Sequence, residues 1–348
     1  MSNCCRNWRR LCLEVGKVYH LKHFGAIRCF ILLKYMYIHI VESVAAAKIL
    51  HHKRHTIVAE AERYSLGKKL AAKVRGTFFV IGRLEGLNRR KYMMKEKIRK
   101  YVLDLGVDDV GFAKVEDYHS PKSFAIEKFL PGAKTIISLA FQELDSCESP
   151  SVTIAMNGRL DMNYFQRSCS YQINRFLKRE FQAKTVDMPY SSPMEQSRER
   201  MGVADFSQRH AAVAAGLGTF GRHNLVIHPR FGTRIGLAAL ITDLELEPDE
   251  KIEQDLCIHC DLCVKNCPGD ALGEIGKTDI ARCIKHSQPY GLRSDIGFWQ
   301  QFAGSSPEEQ KKMFVDEKYW RIQQAHSIGM QYYCFNCIKS CPVGLARK

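Results

Sequence analysis

Apolar residues first recur with a helical period close to residue 98. Ile98, Tyr101, Val102 and Leu105 are spaced i, i+3, i+4 and i+7, which places them on one face of a helix. Gly106 predicts the end of this helix, because glycine commonly takes the left-handed position after the last turn. The sequence upstream has neither sustained helical periodicity nor clean strand alternation, so we expect the folded domain to begin here.

The same reasoning predicts two further helices and four strands. One helix extends from about Tyr164 to Phe181, and another lies in DFSQRHAAVAAGLG, where Asp205 can cap the start and Gly216 the end. Four apolar runs predict buried strands: DDVGFAKV, AKTIISLAF, NLVIHP and IGLAALITDL. Helices and strands are interleaved, so we expect an α/β or α+β domain that ends near Pro248.

The first 92 residues differ from the rest in charge. Residues 1–92 hold 19 Lys and Arg against 5 Glu and no Asp, whereas the rest of this chain of net charge +15 is nearly neutral. A near-neutral body argues against a phosphate-binding surface. We expect a basic N-terminal extension that is upstream sequence, with translation starting at Met93 or Met94. Twin-arginine export from Arg9 and Arg10 and mitochondrial targeting are the alternatives, and charges within its apolar stretch argue against a membrane helix.

Eight of the fourteen cysteines follow residue 250, in groups that predict metal ligation rather than disulfides. The run CIHCDLCVKNCP spaces Cys257, Cys260, Cys263 and Cys267 as C-x2-C-x2-C-x3-C-P, which is typical of bacterial ferredoxins. Three of these thiolates bind one cubane cluster, and the fourth cysteine crosses to another cluster. Zinc sites usually pair two distant C-x2-C units, so zinc is the less favoured alternative. His259 lies inside the loop, and we expect it to be a neighbour of the cluster.

A second loop, CFNCIKSCP, supplies the other thiolates. By reciprocity Cys341 crosses to the first cluster, because Cys267 crosses to the second. The second cluster then lacks one ligand, and Cys283 is the remaining cysteine in this part of the chain, whereas Cys147 and Cys169 lie far upstream. We therefore expect two 4Fe–4S clusters, one on Cys257, Cys260, Cys263 and Cys341 and the other on Cys267, Cys283, Cys334 and Cys337.

These motifs resemble those of the epoxyqueuosine reductases and the related reductive dehalogenases. The resemblance includes the ferredoxin-like run, the lone cysteine in ARCIKH, the final C-x2-C-x3-C-P, and AAGLGTFGRHNLVIHPRFGTRIGLAALITD, which is similar to the family's stretch around A-G-L-G-x-x-G. It implies an α+β protein, with a nitroreductase-like, cobalamin-binding α/β domain over residues 93–250. A small ferredoxin-like domain with two clusters follows over residues 251–348. The lone cysteine independently supports Cys283 as a ligand.

The resemblance also implies the chemistry. A corrinoid receives low-potential electrons from the clusters, a carbon–oxygen or carbon–halogen bond is reduced by two electrons, and a protein acid supplies the proton. The family's catalytic aspartate lies in a V-D segment shortly before A-G-L-G, whereas the V-D of this chain, at Asp187, is much further upstream. Asp205 is nearer, and His210 is a rival proton donor. An N-cap role explains Asp205 equally well, and a helical histidine is often only packed.

The segment GLGTFG matches the dinucleotide fingerprint G-x-G-x-x-G, but Gly216 closes a helix where the fingerprint should open one. We therefore discount NAD. We predict that Gly216, Gly218 and Gly221 form a tight loop near the cofactor, and a helix cap followed by a turn is the plainer alternative.

The leading hypothesis is a cytoplasmic, cobalamin-dependent iron–sulfur reductase with no membrane association. A non-catalytic ferredoxin-type electron-transfer protein and a reductive dehalogenase-like enzyme are the alternatives. We expect a low-potential electron donor such as ferredoxin or flavodoxin, and a small molecule or modified nucleoside as substrate. The near-neutral body of the chain argues against a tRNA substrate. The sequence also ends shortly after Cys341, without the helical extension that helps some family members to hold tRNA.

Overall fold

The computed structural model describes residues 90–189, 194–195, 202–329 and 332–344. The chain enters as a helix, α1, over residues 90–104. Ile98 and Val102 on its predicted face are fully buried, and Gly106 follows with a φ of +91°. The helix is already formed at residue 90, ahead of Met93. Residues 1–89 lie outside the described residues, so the expected start and its alternatives stay predictions.

A four-stranded antiparallel sheet forms the centre of the first part of the chain. The strands are, in chain order, β1 (Asp109–Lys114), β2 (Thr135–Gln142), β3 (Thr185–Asp187), β4 (Met194–Glu195), β5 (Val203–Ala204), β6 (Thr219–Phe220), β7 (Val226–Ile227) and β8 (Ile235–Thr242). The sheet order is β1-β2-β8-β3, and β2 pairs with β8 along its whole length. β4 pairs with β5, and β6 pairs with β7. The four predicted runs therefore contain β1, β2, β7 and β8.

The sheet is covered on both faces, which explains why β2 and β8 are continuous apolar runs. Two helices follow in this part of the chain, α2 (Val152–Phe181) and α3 (Gln208–Ala214). α1 and α2 pack on the face that carries Leu139 and Leu240, and α3 packs on the face that carries Ile136 and Ile241. The start predicted for α2, Tyr164, was wrong, because the buried side of its first turns carries the charged Arg159 instead of an apolar stripe.

The cysteine-rich part is built from short helices. They are α4 (Leu262–Lys265), α5 (Ile280–Ser287), α6 (Leu292–Ala303), α7 (Pro307–Met313), α8 (Glu317–Ile328) and α9 (Asn336–Lys339). α7 begins with a capping box between Ser306 and Glu309. α6, α7 and α8 meet through ring contacts among Phe298, Phe302, Phe314 and Tyr319. After α4 the chain makes a turn at Pro268.

The mixed helix and sheet architecture confirms the α+β class. Residues 89–348 form one compact unit, and the boundary near residue 250 stays a prediction. Over the described part of the chain, every helix is too short or too polar to span a bilayer.

Candidate iron–sulfur site

The first cysteine loop leads into α4. Cys257 and Cys260 precede this helix and Cys263 lies within it, and His259 and Asp261 before the helix have positive φ angles of 50° and 56°. Left-handed residues can turn backbone N–H groups into a concave surface that binds anions, including iron–sulfur clusters. The local backbone therefore fits a cluster carried by these three thiolates.

His259 is held by an acidic neighbour. Its Nε2 lies 2.8 Å from Oδ2 of Asp255, and Oδ1 of Asp255 accepts the backbone N–H of Cys257 at 2.8 Å. The N–H of Cys257 and then His259 hold the pKa of Asp255 below its usual value. His259 is therefore a surface neighbour of the cysteines that braces the loop.

Cys341 of the second loop lies beside the first loop. Burial raises the pKa of Cys341, and repulsion by Cys257 adds to the rise. Burial likewise raises the pKa of Cys263, with added repulsion from Cys257 and Cys260. Such effects act over short distances, so Cys341 lies near Cys257, and Cys263 lies near both Cys257 and Cys260. They are the four residues expected to bind the first cluster.

The other four thiols form a second group. Burial raises the pKa of Cys337 to about 12, and Cys283, Cys334 and Cys267 contribute repulsion. Burial also raises the pKa of Cys283, again with repulsion from Cys334 and Cys267. The structure therefore brings Cys283 to the second loop, although 51 positions of sequence separate it from Cys334. Assignment of these eight thiols as cluster ligands stays a prediction.

The two loops meet through their short helices. α4 contacts α9, and Nδ2 of Asn336 donates to the carbonyl of Asn266 at 3.2 Å. Among the described residues, no three His, Cys, Asp or Glu side chains are placed to hold a single metal ion. A cubane cluster binds its four cysteines through different irons, so it takes a wider arrangement of thiols than one ion does.

The tip of the β6–β7 hairpin holds the first loop. The backbone N–H of Arg222 donates to Sγ of Cys257 at 3.4 Å, and its guanidinium reaches Asp261 at 3.2 Å and the carbonyl of Gly273 at 3.0 Å. Its buried Nη1 has no hydrogen-bond partner among the described residues. An unpartnered buried donor on the residue whose N–H binds Sγ of Cys257 fits an anionic cluster nearby.

The segment Phe231–Arg234 holds the second loop. Nη1 of Arg234 donates to the carbonyl of Cys341 at 2.9 Å, and Nη2 donates to the carbonyl of Lys339 at 3.1 Å. Oγ1 of Thr233 donates to the carbonyl of Ile338 at 3.0 Å. The sequence did not predict a role for Arg222 or Arg234. The one signal was that both residues lie in the stretch that resembles the reductase family.

Arg159 forms a further contact with the second loop from α2. It makes two hydrogen bonds to the Glu143 carboxylate, at 2.8 and 2.7 Å, and both side chains are buried. The guanidinium carbon lies 3.8 Å from the ring centroid of Phe335, which follows Cys334 in the chain. Burial raises the pKa of Glu143, and Arg159 opposes that rise.

Gly232 allows the second loop to approach closely. Its φ is +59°, and a Cβ atom there would lie 1.8 Å from the carbonyl oxygen of Val343. Gly132 also has a positive φ, +79°, but a Cβ atom there would meet nothing within 4 Å. Alanine substitutions at Gly232 and Gly132 therefore separate the energetic cost of the left-handed backbone from the cost of the steric clash.

We expect Gly232→Ala to destabilise the protein by roughly 3 kcal/mol or more, and Gly132→Ala by about 1 kcal/mol, which is the left-handed penalty alone. The free energy of unfolding from anaerobic urea titrations measures both. Equal losses in the two variants would show that the contact with Val343 is unimportant.

The predicted cofactor glycines are enclosed by the chain itself. A Cβ atom on Gly216 would lie 2.3 Å from the carbonyl oxygen of Glu250, and one on Gly218 would lie 2.3 Å from that of Ile227. A Cβ atom on Gly221 would lie 2.6 Å from Cε1 of His223. Gly216 also ends α3 with a φ of +73°. Packing within the protein accounts for all three glycines, and a cofactor role stays a prediction.

The cap expected at Asp205 was wrong. Ser207 is the N-cap of α3, and its side chain accepts from the backbone N–H of His210. Asp205 lies in a bend between β5 and the helix, where its carbonyl accepts from the N–H of Phe124 at 2.9 Å. Within the described part of the chain its carboxylate has no hydrogen bond or ion pair, so capping no longer explains it.

His210 is half-buried and held in place. Its Nδ1 lies 2.7 Å from Oγ of Ser207, and its ring packs on Phe220 at 4.9 Å. Burial and then the neighbouring Arg209 lower the pKa of His210, which favours the neutral ring. A Ser207 hydroxyl that donates to Nδ1 leaves the proton on Nε2, where it could be passed on. The roles of Asp205 and His210 stay predictions.

Comparison with known proteins gives this arrangement a context. Residues 250–273, which contain the first cysteine loop, match the family described as 4Fe-4S binding domain. Epoxyqueuosine reductase from Bacillus cereus is 24% identical over 272 residues, which cover 72% of this chain and 64% of that protein. The chain is similar to epoxyqueuosine reductases. This confirms the resemblance inferred from the motifs.

A second relative agrees with the first. Epoxyqueuosine reductase from Staphylococcus aureus is 24% identical over 281 residues, which cover 74% of this chain and 66% of that protein. The chain thus spans just under two thirds of these relatives. A solved structure of epoxyqueuosine reductase with a modified tRNA stem loop aligns with a TM-score of 0.49 and 21% identity, over 74% of this chain and 67% of that one.

Proposed function

We propose that this protein is an iron–sulfur reductase that carries two 4Fe–4S clusters. The observation that supports this most directly is that Cys341 and Cys263 lie near Cys257 of the first loop, whereas Cys283 and Cys337 lie near Cys334 and Cys267. Burial and neighbouring thiolates raise the pKa of a thiol, and bound iron stabilises its deprotonated form. The first set would hold one cluster and the second set the other, with Cys267 and Cys341 crossing between the loops.

The crossed ligands would keep the clusters close enough to pass single electrons. Each cluster accepts one electron at a time, and 4Fe–4S clusters reach low potentials. A low-potential donor such as ferredoxin or flavodoxin would supply the electrons, and the chain would work in the cytoplasm. Because the relatives are named epoxyqueuosine reductases, we propose a modified nucleoside as the substrate class.

From the family resemblance we further propose that a bound cobalamin reduces the substrate. The described residues do not by themselves fit this cofactor, because Gly216, Gly218 and Gly221 are enclosed by protein atoms instead of forming an open cradle. The same observation favours a second candidate function, an electron-transfer protein without a corrinoid. In the reductase, Asp205 or His210 would supply the proton.

Anaerobic reconstitution with iron, sulfide and cobalamin separates these functions. Both functions predict about eight irons per chain and EPR signals from two reduced clusters, and the cobalamin enzyme alone predicts one bound cobalt. Turnover is then assayed with an epoxyqueuosine-containing tRNA stem loop and with the free nucleoside, using a chemical reductant.

Each outcome decides one part of the proposal. Eight irons without cobalt would exclude the cobalamin enzyme and leave the electron carrier. About four irons would contradict the two-cluster scheme. If the protein binds cobalt but turns over neither the tRNA stem loop nor the free nucleoside, the proposed substrate class is refuted. The proposed clusters and cobalamin would still stand.

A further inference from the structure

Arg234 places a buried positive charge against the second cysteine loop. Its side chain is only 10% exposed, and both terminal nitrogens are used by the carbonyls of Lys339 and Cys341. Arg234 therefore lies near a proposed ligand of the first cluster, on a strand end that belongs to the α/β domain.

One carboxylate partly compensates this charge. Oε2 of Glu148 lies 3.5 Å from Nε of Arg234, and Glu148 is 35% exposed. The nearby Glu143 is instead occupied by Arg159 through two short hydrogen bonds. Glu143 therefore has Arg159 as its ion-pair partner, and Glu148 is the carboxylate in contact with Arg234.

We propose that Arg234 is a positioning residue that raises the reduction potential of the cluster bound by Cys341, and that Glu148 lowers it. This inference rests on the proposed two-cluster function. One electron from a low-potential donor converts the 2+ core of the cluster into the 1+ core, and no bond forms or breaks. A cation held beside the cluster stabilises the added negative charge, and a carboxylate disfavours it.

The effect should be selective for one cluster. Arg234 donates to the loop at Cys341, whereas the second set of thiols is not among the groups that it contacts. Buried charges are screened far less than exposed ones, so the influence persists at ordinary ionic strength. The two clusters would then differ in potential because the α/β domain supplies a charge to one of them.

Redox titrations monitored by EPR test the proposal with Arg234→Gln, Arg234→Lys and Glu148→Gln. For Arg234→Gln we expect the ratio of reduced to oxidised first cluster, at a fixed potential, to fall about tenfold, which is a shift of about 59 mV. Glu148→Gln should shift the same cluster in the opposite direction. Arg234→Lys, which keeps the charge, should shift it less than Arg234→Gln. Arg230→Gln is the matched control, since Arg230 is an exposed cation in the same segment.

Iron content is measured on every variant, which separates this inference from the proposed function. Two loaded clusters with unchanged potentials, or equal shifts in both clusters, would overturn the role of Arg234 and leave the two-cluster scheme intact. If Arg234→Gln fails to retain iron, Glu148→Gln decides alone, because Glu148 contacts neither cysteine loop backbone. A rise in one potential supports the proposal, and no rise refutes it.

Discussion

Replacing Cys283 with Ala should remove the second cluster and leave the first. Cys283 is the single thiol of its set that comes from neither loop, and its pKa responds to Cys334 and Cys267. A cluster left with three thiolates loses iron readily, so we expect the iron content to fall from about eight to about four per chain. Iron analysis and EPR of anaerobically reconstituted protein measure the loss.

Cys169→Ala is the matched control. Cys169 is fully buried in the α2 core, and burial raises its pKa to about 11, so it is inert. This variant should keep about eight irons. Full retention of iron in Cys283→Ala would refute the ligand scheme. Cys341→Ala should instead remove the signal of the first cluster, which tests the crossing of ligands between the loops.

Arg159→Met should destabilise the protein strongly. The substitution leaves the Glu143 carboxylate buried without its partner, and it removes the contact with the ring of Phe335. Breaking one side of a buried pair costs about 3 to 5 kcal/mol. We therefore expect a loss of that size in the free energy of unfolding, measured by anaerobic urea titration, with reduced iron retention because the second loop loses a support.

Two further variants show which interaction of Arg159 causes the loss of stability. Arg167→Ala removes an exposed arginine from the same helix and should change stability by no more than about 0.5 kcal/mol. Glu143→Leu combined with Arg159→Met should recover part of the loss, because two apolar side chains leave no unpaired buried charge. An equally unstable double variant would show that the carbonyls of Cys147 and Ala155, which Arg159 also binds, dominate.

The central strands could be predicted from sequence because a sheet covered on both faces demands continuous apolar runs. β4, β5 and β6 have two residues each, which is too short for any periodic pattern, and they were not predicted. α6 and α8 were not predicted, since they pack through scattered aromatic rings. The cap of α3 was assigned to Asp205 because two capping residues lie close together, and only the structure shows that the helix begins after Ser207.

The cysteine spacing predicts two sets of thiols, and elimination adds Cys283 to the second set, and their role as cluster ligands stays a prediction. It could not predict the residues that hold the loops, because those contacts join distant positions. Arg222 and Cys257 are 35 positions apart, and Arg234 and Cys341 are 107 apart. A motif describes the ligands of a cluster, whereas the surrounding donors and charges come from another part of the fold.

The proposed crossing of the two loops would also set an order of assembly during synthesis. The last strand of the sheet ends at Thr242, before any cysteine of either loop has been made. If the two sets of thiols bind clusters as proposed, neither set would be complete until Cys337 and Cys341 have been made, so iron and sulfide would be inserted after the sheet. Domains generally fold as units during translation. The sheet would then form first, with Thr233 and Arg234 in place, and the cysteine-rich part would fold against it afterwards.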